Sequence, residues 1–200
     1  MKDLKILITA VGSPGSATNI KYLKEIKERK LFLIGTDLNH DKIGKYLCDK
    51  FYTVPKGEDE NFIPRLLEII KKEKPDVLFP QSSSEVIPLS QNKDILEKEG
   101  VKVLISSEKA VYEAENKAEL YKSLKDSPVK IPKFRIVNNL SDFLDAVKAL
   151  GYPKTPVCFK PPISKGTRGF RILRDDVSRK HALLHERPIN RFISINEFKE

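Results

Sequence analysis

A segment in the last quarter of the chain combines a lysine, two prolines and a cationic glycine-rich stretch. Residues 157–171 read V-C-F-K-P-P-I-S-K-G-T-R-G-F-R. The apolar run before Lys160 predicts a strand, and a second alternating run begins at Phe170. Between them, glycine lets backbone N–H groups turn toward an anion, while lysine and arginine supply positive charge. The segment therefore predicts a strand–loop–strand unit that closes over the phosphates of a nucleotide.

Two lysines are candidate phosphate ligands. Lys160 ends an apolar strand, so we expect its ammonium to be close to desolvated and to need an anionic partner. A carboxylate would serve, but the cationic loop that follows favours phosphate. Lys117 begins a predicted helix, where a lysine opposes the helix dipole. An anionic contact would explain that placement, and so would an ordinary surface position.

The first predicted strand is followed by a glycine turn at the position of a dinucleotide-binding loop. Gly12 and Gly15 enclose Ser13 and Pro14, and Asp37 ends the second strand, where an acidic residue would hold a ribose hydroxyl. The spacing is G-x-x-G rather than G-x-G-x-x-G, and Pro14 removes one N–H donor. A plain strand-to-helix turn explains the same residues, so an NAD(P) site and a structural turn both stay open.

A serine-rich turn follows the fourth predicted strand. Ser82 and Glu85 have the spacing of a helix capping box, in which two side chains bind free backbone N–H groups. The carboxyl ends of parallel strands are also where α/β proteins bind ligands. These two residues are therefore predicted to cap a helix, with a position facing the ligand as the alternative.

Charge and composition limit the partners of the chain. The formal charge is +9, and the segment from Gly151 onward contains eleven basic residues and five acidic residues. This excess favours an anionic partner, although a solvated lysine-rich surface accounts for it equally well. No motif that interleaves aromatic and basic residues supports nucleic-acid binding. No apolar stretch reaches the length of a membrane span.

Cysteine and histidine usage predicts neither a disulfide nor a zinc site. Cys48 and Cys158 lie far apart on or near apolar runs, and we expect both to be buried free thiols, as suits the reducing cytoplasm. The three histidines are scattered and there is no CxxC. No histidine-centred motif surrounds Ser164, so a nucleophilic triad is not expected.

The chain consists of two regions that differ in their patterns of apolar residues. Up to about residue 111, apolar runs alternate with stretches of helical spacing, which predicts a Rossmann-like parallel sheet with an α/β architecture. From about residue 112, two helical stretches and short strands joined by the cationic loop predict an α+β unit built on antiparallel strands. A helix over 175–184 and a short strand over 192–195 complete that region. The predicted domains are therefore 1–111 and 112–200.

In order and spacing, these pieces resemble the ATP-grasp superfamily, specifically proteins similar to the large subunit of carbamoyl-phosphate synthase. Residues 9–15 look like the opening strand and turn of that family's pre-ATP-grasp domain. Asn116-Lys117, followed by Tyr121 and then by Val129-Lys130-Ile131-Pro132, looks like its "D-K…(I/V)-P" segment, and residues 159–169 look like its strand lysine and glycine-rich loop. The resemblance covers essentially the whole chain.

The resemblance implies an ATP-dependent carboxylate–amine ligase that forms an acylphosphate. ATP and Mg²⁺ would be its cofactors, and a small carboxylate and an amine its substrates, neither of which the sequence identifies. Carried over residue by residue, it implies ATP contacts from Lys117, Lys160, Ser164, Lys165, Gly166, Arg168 and Gly169. It implies a substrate-facing position for Gly12, Gly15, Asp37, Ser82 and Glu85.

Two departures from the family matter. Asn116 stands where an acidic residue is usual, and the family's hinge strand and Mg²⁺ ligands have no counterpart before Glu200. We therefore expect a truncated first ATP-grasp subdomain with no catalytic or metal-binding residue in this chain, inactive alone. The chain would then be a truncated protein, the product of a split or degraded gene, or a subunit completed by another chain or in a homodimer. A non-catalytic nucleotide-binding or interaction module and an NAD(P)-binding Rossmann protein are the alternatives.

Overall fold

A computed structural model describes residues 2–164, 169–175 and 192–199 of the chain. The chain divides into two compact units, residues 1–112 and 113–200. Among the described residues, none of the helices has the length and apolar character needed to cross a membrane.

The first unit is built on a five-stranded sheet in which every pairing is parallel. Its strands are β1 (Leu4–Ile8), β2 (Leu31–Asp37), β3 (Lys50–Thr53), β4 (Val77–Phe79) and β5 (Lys102–Val103). Their order in the sheet is β3-β2-β1-β4-β5. The Rossmann-like parallel sheet predicted from the alternation of apolar runs and helical stretches is thus confirmed.

Helices connect these strands and cover the sheet. They are α1 (Ser16–Glu25), α2 (Gly44–Leu47), α3 (Phe62–Glu73), α4 (Ser83–Gln91) and α5 (Lys93–Glu97). A further helix, α6 (Glu108–Glu115), follows β5 and extends into the second unit. The α3 stripe formed by Phe62, Leu66 and Ile69 is buried against Leu7 and Leu78 of the sheet. Because strand side chains alternate, a second apolar cluster around Ile8, Ile20 and Leu33 forms independently of the first. Burial of both sheet faces explains the nearly continuous apolar strands.

The strand order places a crevice at the carboxyl ends of β1 and β4. The chain moves outward from β1 through β2 to β3, then returns to pair β4 with the other side of β1. Connections leaving β1 and β4 therefore diverge in opposite directions, which opens the sheet at this point. The turns that hold Gly12 and Ser82 leave the sheet at these two strand ends.

The second unit combines helices with a three-stranded sheet. Its elements are α7 (Lys117–Leu124), α8 (Leu140–Ala149), β6 (Val157–Phe159), β7 (Arg171–Leu173), β8 (Phe192–Ile193) and α9 (Ile195–Lys199). The α+β class is confirmed, and the two strands joined by the cationic loop, β6 and β7, run antiparallel as predicted, whereas β8 pairs parallel with β7. About eighteen residues separate β7 from β8, which is enough for a crossover. The helix predicted over 175–184 lies outside the described residues, except for Asp175.

The core of the second unit lies between α8 and the sheet. Phe143, Val147 and Leu173 are buried there, and the Phe143 ring stacks on Phe198 with centroids 4.0 Å apart. Both cysteines are free thiols, as predicted. The predicted burial of Cys158 was wrong, because its side chain occupies the exposed face of β6 while Val157 faces the core.

Candidate functional site

Lys160 follows β6 directly, as the sequence predicted, but its side chain is exposed. Its Nζ lies 3.3 Å from the Tyr121 hydroxyl and 5.3 Å from the centroid of the Tyr121 ring. The expectation of a nearly desolvated ammonium was wrong, because Lys160 is two residues after Cys158 and continues the exposed side of the strand. Its described polar partner is a neutral hydroxyl, so its charge remains available to an anion.

Lys117 is the first residue of α7, and the local structure offsets its unfavourable position in the helix dipole. The Asn116 side chain caps the helix by accepting hydrogen bonds from the N–H groups of Ala118 at 3.0 Å and Glu119 at 3.4 Å. The Lys117 Nζ donates to the Ser164 hydroxyl at 3.1 Å and to the Ser164 carbonyl at 3.2 Å. Lys117 therefore holds the first residue of the predicted phosphate loop.

The two candidate lysines line the same cavity. Lys117 and Lys160 both border a cavity of about 200 Å³ within the second unit. Tyr121, one helical turn after Lys117 on α7, borders it as well and is the residue that Lys160 contacts. Tyr121 was not predicted to be a site residue, although its i,i+4 spacing from Lys117 places the two on one helix face.

The structure describes the two ends of the predicted phosphate loop. Gly169 closes it with a φ of 73°, in the left-handed region that favours glycine, and a Cβ there would come within 2.7 Å of the Pro161 Cγ. Lys165, Gly166 and Arg168 lie outside the described residues. The structure thus brings Lys117 and Lys160 together with Ser164 at the loop start.

The glycine turn of the first unit uses its backbone donors internally. The Gly12 N–H donates to the Asp37 carboxylate at 2.7 Å, and the Asn39 N–H donates to the other Asp37 oxygen at 3.1 Å. Asp37 is buried. Gly15, the residue before α1, has a φ of 90°, which only glycine adopts readily. This arrangement favours the structural reading of Asp37 over a ribose contact, because both carboxylate oxygens already accept backbone hydrogen bonds.

Ser82 and Glu85 form the predicted helix cap. The Ser82 hydroxyl accepts a hydrogen bond from the Ser84 N–H at 3.3 Å, and the Glu85 carboxyl accepts one from the Ser82 N–H. The cap differs from an ideal capping box, in which Ser82 would accept from the Glu85 N–H. Glu85 has a second partner that the sequence analysis missed, the hydroxyl of Thr9 at the end of β1. Only the β1–β4 pairing of the sheet brings Thr9 and Glu85 together.

The environment of Glu85 changes its protonation. The side chain is only 5% exposed, and burial raises the pKa of Glu85 to about 7. The hydrogen bond from Thr9 lowers this pKa, while the nearby charges of Asp37 and Glu58 raise it further. Strongly shifted pKa values of buried carboxyls cluster at functional sites, and structural ion-pair networks shift pKa values as well.

Within residues 2–164, 169–175 and 192–199, no group of three acidic, histidine or cysteine side chains could hold a metal ion. Beside the cavity, the described residues supply the positive charges of Lys117 and Lys160. They do not supply an Mg²⁺ ligand set.

Comparisons with known proteins agree with the predicted family. Residues 6–104 match the family described as "PylC-like, N-terminal domain". The chain is 31% identical over 127 residues to the carbamoyl phosphate synthase large chain of Thermotoga neapolitana, covering 58% of this chain and 11% of that protein. It is 31% identical over 129 residues to the N-terminal section of the corresponding large chain of Aquifex aeolicus, covering 62% of this chain and 21% of that protein. The match thus spans a small part of each relative.

Solved structures show the same fold at low sequence identity. The N5-carboxyaminoimidazole synthetase of Staphylococcus aureus, solved with ADP, matches 86% of this chain and 42% of its own, with a TM-score of 0.61 and 17% identity. An N5-carboxyaminoimidazole ribonucleotide synthetase, also solved with ADP, matches 94% of this chain and 44% of its own, with a TM-score of 0.63 and 15% identity. Residues 6–104 are thus similar to the PylC-like N-terminal domain, and the chain is similar in sequence to part of the large chain of carbamoyl phosphate synthase and in fold to part of the N5-carboxyaminoimidazole synthetases.

Proposed function

We propose that this chain supplies the first nucleotide-binding part of an ATP-dependent carboxylate–amine ligase, with Lys117 and Lys160 as contacts to the ATP phosphates. The observation that carries the proposal is their placement on one cavity, beside the start of the glycine-rich loop. Residues far apart in sequence meet there, and both contribute a cation.

The charges of these two lysines are uncompensated by the described part of the chain. Lys117 donates to oxygens of Pro162 and Ser164, and Lys160 donates to the Tyr121 hydroxyl, all of which are neutral groups. A triphosphate would supply the missing negative charge in charge-assisted hydrogen bonds, which are stronger than neutral ones. Electrostatic positioning of this kind carries most of the catalysis in phosphoryl transfer.

The loop over 164–169 completes the proposed phosphate site. Lys117 holds Ser164 at its start, and Gly169 gives it a left-handed turn at its end. We propose that Lys165, Gly166 and Arg168 between these anchors fold over the distal phosphates. The relatives solved with ADP share the fold of the chain, which supports a nucleotide as the ligand.

We propose that the substrates approach the crevice at the carboxyl ends of β1 and β4. The turn with Gly12, Gly15 and Asp37 and the helix cap with Ser82 and Glu85 border that crevice. The carboxylate and the amine stay unidentified. Because the curated relatives are much longer than the matched segment, we propose that Mg²⁺ binding and turnover need further ATP-grasp segments, in the same polypeptide or in a complementing chain.

Calorimetric titration of the chain with ATP, with and without Mg²⁺, tests this function. Saturable binding is expected, and Lys160→Ala should weaken it at least tenfold while the thermal midpoint stays within about 2 °C, since an exposed lysine adds little stability. Lys148→Ala, which removes an exposed lysine from α8, is the matched control. Equal affinities for Lys160→Ala and Lys148→Ala would overturn the assignment of Lys160.

A further inference from the structure

The cavity beside Lys117 and Lys160 has an apolar interior that phosphate binding does not use. It lies between α7, the extended segment over 132–137, α8 and β6. Its walls include aromatic and aliphatic side chains from all four elements, among them Tyr121, Phe134, Phe143, Val147 and Phe159. Phe143 and Val147 are buried, so the interior of the cavity belongs to the core of the unit.

Aromatic contacts give these walls a defined shape. The rings of Tyr121 and Phe134 lie with centroids 5.1 Å apart, and those of Phe143 and Phe159 meet edge to face at 5.3 Å. Packing of this kind restricts side-chain rotation, which lowers the entropy cost of binding a ligand between the rings.

The charge around the cavity has one sign. Lys117, Lys133, Arg135 and Lys160 border it, whereas the residues that line it include no aspartate or glutamate. None of these four cations forms an ion pair with a carboxylate among the residues that the structure describes. Lys133, Arg135 and Lys160 are exposed, so their charges meet a ligand where it enters.

We propose that this cavity binds a small amphipathic anion, an aromatic or short alkyl carboxylate, with its apolar end between the rings and its carboxylate at the cationic rim. The volume of about 200 Å³ is suited to such a ligand, since a dry apolar cavity of about 150 Å³ binds benzene. The rim charge distinguishes an anion from a neutral hydrocarbon, because the bordering cations lack a carboxylate partner.

Occupancy of the cavity would act on nucleotide binding through Lys160. This consequence rests on the proposed function, because Lys160 is also assigned to the ATP phosphates. A carboxylate at the rim and a phosphate would compete for the same ammonium, so the small anion would be a competitive regulator of the nucleotide site.

Titration with 4-phenylbutyrate, followed by NMR of the 200-residue chain, tests the site in the absence of ATP. Saturable one-to-one binding is expected, with shifts confined to the residues that line the cavity. The neutral analogue 4-phenyl-1-butanol should bind at least tenfold more weakly. Binding of both compounds with equal affinity, or no saturable binding of phenylbutyrate, would overturn the proposal.

A pair of variants on α8 tests whether phenylbutyrate binds in the cavity or elsewhere on the surface. Ala146 borders the cavity, whereas Ala149 on the same helix is exposed and does not. Ala146→Leu should weaken phenylbutyrate binding at least tenfold, and Ala149→Leu should leave it unchanged. Lys160→Gln should weaken it about fivefold with the fold intact, which keeps the test decisive if Ala146→Leu fails to fold. Unchanged phenylbutyrate binding by Lys160→Gln would show that the cationic rim does not bind the carboxylate, which would overturn that part of the proposal.

The two proposals fail separately. Phenylbutyrate binding without any ATP binding would overturn the nucleotide function and retain the cavity. ATP binding without phenylbutyrate binding would do the reverse. If both bind and ATP does not displace phenylbutyrate, the cavity is a site but competition at Lys160 is wrong.

Discussion

The Lys117 ammonium lies 3.1 Å from the Ser164 hydroxyl, so the first turn of α7 is joined directly to the start of the glycine-rich loop. The backbone N–H of Lys117 adds a 2.9 Å hydrogen bond to the Pro162 carbonyl. Lys117 thus holds Ser164, a residue forty-seven positions further along the chain that begins the loop proposed to cover the phosphates. Under the proposed function, Lys117 would both bind the phosphates and hold Ser164 at the start of the loop, whereas Lys160 would only bind the phosphates.

This difference predicts distinct effects of the two lysines on stability. Lys117→Met should lower the thermal midpoint by several degrees, because the Ser164 and Pro162 oxygens lose a donor worth about 1 kcal/mol. Lys160→Met should leave the midpoint nearly unchanged, since its described polar contact is one exposed hydroxyl. Scanning calorimetry of both variants measures the difference, and equal midpoints would contradict the ordering role of Lys117.

Glu85 is expected to make the chain less stable as the pH rises toward 8. Its pKa in the folded chain is raised from the ordinary 4.5 to about 7, mainly by burial. Between these values the folded state binds more protons than the unfolded state, so the free energy of unfolding falls as pH rises from about 4.5 to about 7 and then levels.

Glu85→Gln should therefore stabilise the chain at pH 8 by a few kcal/mol at most, on the order of 1.4 kcal/mol for each pKa unit of the shift, and much less at pH 4. The amide retains an oxygen that accepts the hydrogen bond from Thr9. Urea unfolding at both pH values measures the effect. Glu68→Gln, at an exposed position of α3, is the control and should show no such gain at pH 8.

Glu73 is expected to show the opposite pH dependence. Its buried carboxylate accepts hydrogen bonds from Lys50 at 2.9 Å and from the Tyr52 hydroxyl, and these donors lower its pKa. A lowered pKa means that the stabilisation is present above the ordinary value of 4.5 and is lost as pH falls through the folded value.

Glu73→Gln should cost about 1–3 kcal/mol at pH 7, because two donors lose a charged acceptor, and the cost should shrink toward pH 3. Unfolding by urea across this range measures it. A cost that stays constant with pH would mean that shape rather than charge makes Glu73 important.

Much of the fold was predictable because it rests on local periodicity. The apolar runs of β1 and β2 are nearly continuous, and the buried stripe of α3 repeats about every 3.6 residues. Both patterns depend only on neighbours in sequence. The helix cap at Ser82 and the lysine at the end of β6 were likewise predicted from short motifs. The direction of β8 was not predicted, since the length of the connection from β7 permits a parallel crossover without specifying it.

The candidate site shows the same difference between features predicted from local sequence and features set by tertiary packing. The sequence alone determined which residues carry charge, where glycine frees the backbone, and which family the order of motifs resembles. Only the tertiary structure decided that Lys160 is exposed beside Tyr121, that Lys117 holds Ser164, and that Thr9 meets Glu85. These contacts join residues from separate elements, so their geometry and their pKa values depend on how the elements pack, which no local pattern encodes.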